Sequence, residues 1–116
     1  MLTDQKTYRQ TLSALYLRLP DTPRRLSHFD LRLLDQLWQR QIPLKLVETA
    51  FLLASARRAA RRPEAMPLGP IRSLHYFVPL VEELLANPVP DSYLTYLRGK
   101  VAMRPADSKP LPPPAE

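Results

Sequence analysis

The chain has 116 residues, 45% of them apolar, which is material for a single domain with one core. Its 17 lysines and arginines outnumber 11 acids, and it has no cysteine, which excludes disulfides and thiolate metal ligands and fits a reducing compartment. Fourteen prolines against two glycines argue against β-architecture, which spends glycine on tight turns.

In chain order, the spacing predicts a first helix from about Asp4 to Leu19, with Tyr8, Leu12, Leu15, Tyr16 and Leu19 on one stripe and Thr3 or Asp4 as its cap. Pro20 and Pro23 break it. Ser27 opens a second helix, with Asp30 completing a capping-box pattern and Phe29, Leu33, Leu34, Leu37 and Trp38 facing inward. Pro43 is expected as the first residue of a third helix, which carries Leu44, Val47, Ala50, Phe51 and Ala54 and runs into Arg61-Arg62 before Pro63. Leu17, Leu52 and Tyr76 are expected to fall off the inner faces of their helices. Ser73 caps a fourth helix with Leu74, Phe77, Val78, Val81, Leu84 and Leu85 inward and a kink or break at Pro79. Asp91 caps a short fifth helix, with Tyr93, Tyr96 and Leu97 on one side. The expectation is an all-α bundle of about five helices over residues 1–103, followed by a disordered proline-rich tail over 104–116. The tail contains the polyproline-type segment Pro110-x-x-Pro113.

Met1–Lys6 opens without an apolar stretch of signal-peptide length, and no apolar run approaches the roughly 20 residues that cross a bilayer. A cytoplasmic protein of bacterial type, without a membrane partner, is therefore expected. Catalytic groups do not converge. His28 and His75 stand at the starts of different helices, and Glu82 and Glu83 are neighbours that point about 100° apart. No glycine-rich phosphate loop or nucleophile motif is present, so the expectation is a binding module without cofactor or metal rather than an enzyme.

The charge is uneven. From Arg18 to Arg62 there are ten basic and four acidic residues, whereas from Ser73 onward there are four basic and five acidic. Arg57, Arg58, Arg61 and Arg62 crowd one helix end, and Arg72 follows after the loop. Guanidinium groups grip phosphate oxygens in forked, charge-assisted bonds, which points to nucleic acid. Cations at a helix C-terminus are also favoured by its dipole, by about 0.3–1 kcal/mol each, so end-capping explains the same pattern. Arginines fanned over one surface with Arg24, Arg25 and Lys45 would favour nucleic acid. Pairing with Asp30, Asp35 or Glu64 beside an exposed apolar patch would favour an acidic protein partner.

Leu34 to Phe51 reads as helix, tight turn, helix. In a helix-turn-helix, Lys45, Glu48 and Thr49 would be the residues able to reach base edges; an ordinary helical hairpin fits the same pattern. Tyr76, Tyr93 and Tyr96 are candidates for stacking on unpaired bases. Ile42-Pro43-Leu44-x-x-Val47-x-x-Ala50, then Ser73-Leu74-x-Tyr76-Phe77 beyond the basic stretch, carry a family likeness. Over residues 34–86 the chain resembles the helical or winged-helix domains of bacterial replication and primosome proteins of the DnaD type. It also resembles small uncharacterised bacterial proteins with the same pattern. The first resemblance implies a role in DNA binding linked to replication.

Overall fold

Most helices begin where the sequence supplies a cap or a proline. Asp4 accepts from the Thr7 N–H at 3.2 Å and starts α1, Gln5–Arg18. Ser27 starts α2, His28–Gln39, through a reciprocal capping box. Its hydroxyl accepts from the Asp30 N–H at 3.1 Å, and the Asp30 carboxyl accepts from the Ser27 N–H at 3.0 Å. α3 spans Leu44–Ala59. A 3-10 turn over Leu74–Phe77, capped by Ser73, leads into α4, Val78–Ala86, and α5 covers Asp91–Lys100. The computed structural model describes residues 3–62 and 64–104, so the proline-rich tail beyond Arg104 lies outside the described residues. Among the described residues there is no strand, and the fold is a small all-α bundle.

Several boundaries differ from the sequence-based expectation. Pro43 caps α3 instead of opening it, and Pro90 rather than Asp91 caps α5. α3 stops at Ala59, three residues short of Arg62, which leaves Arg61 and Arg62 outside the helix. At Pro79 the chain breaks as expected. The preceding turn is 3-10, and the proline falls in the first turn of α4, where its missing N–H leaves no helical bond unmade.

α3 is the axis of the bundle, packed against α1, α4, α5 and the 3-10 turn. Every residue from Thr49 to Ser55 is buried, as expected for a helix covered on all sides. That is why Leu52 is buried rather than turned outward. Tyr16, Phe51 and Phe77 meet at its middle, with ring centroids 4.9–6.2 Å apart. The Tyr8 hydroxyl donates to the Ile42 carbonyl at 2.8 Å, and burial pushes its pKa up to about 12. α1 and α2 are tied by Arg9 on Asp35 at 2.6 Å and by the Trp38 indole N–H on the Thr3 carbonyl at 2.7 Å.

Phe29 was expected in the core and is 67% exposed, because its neighbour Asp30 takes the inward position at the start of α2. Leu85 also lies partly in solvent, and α5 turns Leu94 and Leu97 inward while Tyr96 faces out. α2 ends in a Schellman turn. The Ile42 N–H reaches the Leu37 carbonyl at 3.2 Å and the Gln41 N–H reaches the Trp38 carbonyl at 2.9 Å, with Gln41 in the left-handed region at φ 60°. Beyond this turn α2 packs on α1 and the 3-10 turn, while α3 runs through the centre. No helix among the described residues is long and apolar enough to cross a membrane.

Candidate nucleic-acid interface

The arginine run at the end of α3 does not form one open surface. Arg58 is turned inward, its side chain only 10% exposed. It donates to Asp21 at 3.2 Å, to the Gly69 carbonyl at 2.7 Å and to the Tyr76 hydroxyl at 3.2 Å, and its guanidinium carbon lies 5.5 Å from the centre of the Tyr76 ring. Arg58 is thus a clamp that fastens two loops, around residue 21 and around residue 69, to the end of α3. Arg57 stands 3.8 Å from Glu83, and Arg62 stands 3.2 Å from Glu64, both pairs well exposed. Exposed pairs of this kind are worth about 0–1 kcal/mol, so they hold those arginines loosely. Arg61 donates to the Met66 carbonyl, which leaves its charge uncompensated.

Lys45 does not join this group. It lies twelve residues before Arg57 on the same helix, roughly 18 Å away at 1.5 Å per residue, and pairs with Asp91 at 3.6 Å. The start of α3 is also partly engaged by α5. α5 lies against α3, Arg98 grips Glu48 in a two-pronged bond at 2.8 and 2.9 Å, and the Thr49 hydroxyl folds back to the Lys45 carbonyl at 2.7 Å. Of the three residues that a helix-turn-helix would use for base edges, Glu48 and Thr49 are thus engaged within the bundle, while Lys45 keeps an exposed, loose pair with Asp91.

Two long-range hydrogen bonds place a different set of cations on neighbouring stretches. The Ile71 N–H donates to the Asp21 carbonyl at 2.8 Å, and the Leu74 N–H donates to the Asp30 carboxyl at 2.9 Å. The stretch 71–74 is therefore fastened at both ends to the stretch 21–30. Arg72 belongs to the first, and Arg24 and Arg25 to the second. All three are exposed, and among the described residues no carboxyl group lies within ion-pair distance of them. Arg32, which the sequence reasoning did not single out, is also exposed and shares the outer face of α2 with Phe29, three residues before it. The signal for it was present in the helical spacing, since Arg32 sits opposite Leu33, Leu34 and Leu37.

A further arginine lies beneath this loop. Arg104 donates from one nitrogen to the Leu17 carbonyl at 2.6 Å, the Thr22 hydroxyl at 2.8 Å and the Thr22 carbonyl at 3.1 Å, while Arg18 reaches back to the Arg104 carbonyl at 2.8 Å. The loop that displays Arg24 and Arg25 is held from within by Arg104 and from the side by Arg58.

The titrating groups that depart from ordinary behaviour are structural. The Arg9 hydrogen bond holds the Asp35 carboxyl below the usual range, and that of Arg40 does the same for Glu82. Burial, reinforced by the charge of Asp30, raises the Tyr16 phenol. Among the described residues no group of three His, Asp or Glu side chains is placed to hold a metal ion. What the exposed arginines can do chemically is bind anionic oxygens, of a phosphate or of a carboxylate. No family model matches the chain, and neither the curated proteins nor the solved structures give a significant match.

Proposed function

We propose that the protein is a non-catalytic, cytoplasmic nucleic-acid-binding module that contacts phosphates through the end bearing Arg24, Arg25, Arg61, Arg62 and Arg72. The observation that carries this reading is the gathering of Arg24, Arg25, Arg61 and Arg72, none with a carboxyl partner among the described residues, on two loops fastened to each other and to α3. Guanidinium groups on such an edge lose little on meeting phosphate, because they give up no ion pair to do so. The net charge of +6 would bring a polyanion to the molecule, and the resemblance to DnaD-type proteins makes a replication-linked setting part of the proposal.

The test is fluorescence anisotropy with labelled single- and double-stranded DNA at low and moderate salt. Binding that weakens steeply with salt is expected; no binding at low salt would overturn the proposal. The rival is a protein partner with an acidic surface. It is favoured by Met66, 81% exposed, beside exposed Leu68 and the Arg62–Glu64 pair. It would be indicated by loss of function on Met66→Ser and Leu68→Ser with DNA binding intact.

A further inference from the structure

Three clefts join end to end along one side of the molecule. The first, about 310 Å³, lies between Asp21, Arg61, Arg62 and Leu68 at the basic end. Arg58, Arg61 and Leu68 are shared with the second, about 330 Å³, which is walled by Tyr76, Pro79 and Leu80. Arg57 divides the second from the third, about 540 Å³, floored by Leu53 and lined by Val89, Tyr93 and Tyr96. Cations and aromatic rings therefore both line this run of adjoining clefts, a trough interrupted by Arg57. The Tyr93 and Tyr96 rings are 5.9 Å apart and 17° from parallel, and Lys100 lies 5.8 Å from the centre of the Tyr96 ring.

We infer that the ligand is a single-stranded nucleic acid, lying in this trough with phosphates on Arg61 and Arg57 and a base stacked on Tyr96 beside Tyr93, and continuing over the arginines of the basic end. This rests on the nucleic-acid reading above and names its substrate class. A duplex keeps its base faces stacked inside and can meet only the arginines, whereas an unpaired strand offers a π-face to each tyrosine it passes. Of the aromatic rings on this path, Tyr76 and Tyr96 are exposed and Tyr93 is half-buried beside Tyr96, and the path is already supplied with cations. Glu83 is the single acid lining the tyrosine cleft. Arg57 faces it at 3.8 Å, in an exposed pair that a phosphate can displace.

The experiment compares a thymidine oligonucleotide with an abasic strand of equal length and charge, using wild-type protein, Tyr96→Ala and Tyr96→Phe. Tyr96 is 56% exposed, so neither substitution disturbs the core. The expected result is binding of the base-bearing strand about tenfold tighter than the abasic one, a preference lost in Tyr96→Ala and kept in Tyr96→Phe. Equal affinity for both strands would overturn the stacking inference while leaving the phosphate reading standing. Binding of neither strand would overturn both.

Discussion

Two sets of arginines stand within a few residues of one another around the loop that follows α1, and they behave in opposite ways. Arg58 and Arg104 point into the molecule, both spending hydrogen bonds on the chain's own carbonyl and hydroxyl oxygens and Arg58 also on the Asp21 carboxyl. Arg24, Arg25 and Arg72 point out and meet no carboxyl group among the described residues. The inward set builds the platform on which the outward set is displayed. Arginine content alone therefore says little about where a polyanion binds; what matters is which guanidinium groups the fold has already satisfied.

The contrast breaks most visibly at the inward positions. Arg104→Ala strips the Leu17 and Thr22 oxygens of a charged donor and is expected to cost about 2 kcal/mol, read as a lower denaturant midpoint in urea. Asp30→Ala is expected to cost about 1–3 kcal/mol by the same measurement, since it leaves the Ser27 and Leu74 N–H groups without their acceptor and unfastens the stretch 71–74 from α2. Both variants should weaken DNA binding indirectly, by loosening the loops that carry the outward set.

Arginines bound to carboxyl groups elsewhere sharpen the contrast through pH. The Asp35 carboxyl lies below its ordinary value of 3.8 and that of Glu82 below 4.5, so both pairs contribute fully above those values. Their contribution is lost as pH falls through the lowered folded values. Urea midpoints should be level through the neutral range and drop below about pH 4, and Asp35→Asn should flatten part of that drop. The outward set has no such partner, so Arg24→Ala should leave the profile unchanged. The smallest expected effect is at the turn between α2 and α3. Gln41 holds a left-handed conformation that suits glycine, and Gln41→Gly should raise stability by about 0.5–1 kcal/mol in thermal unfolding without altering DNA binding.

Helical spacing made the bundle legible, along with Asp4 and Ser27 as caps, the break at Pro79 and the aromatic residues of the core, because those depend on neighbours a turn away. The end of α3 and the start of α5 were not: α3 stops at Ala59, short of Arg61 and Arg62, and Pro90 takes the cap position ahead of Asp91, neither of which helical spacing registers. The candidate interface was legible only in part. Arg24, Arg25, Arg61 and Arg72 stood out as cations, but Arg58 and Lys45 looked like them. Their separation rests on bonds between distant residues, Asp21 with Arg58 and Ile71, Lys45 with Asp91, and Arg104 with Thr22. Asp30 was legible as half of a capping box, while the second oxygen that anchors Leu74 was not.

The most direct test of the central claim is the salt dependence of single-strand binding for Arg24→Ala/Arg25→Ala/Arg72→Ala beside Lys45→Ala. At roughly 0.7 in the slope of log K against log salt for each phosphate contact, the triple variant should flatten the slope by about 2 while folding as stably as wild type, and Lys45→Ala should leave it unchanged. An unchanged slope in the triple variant would contradict the account.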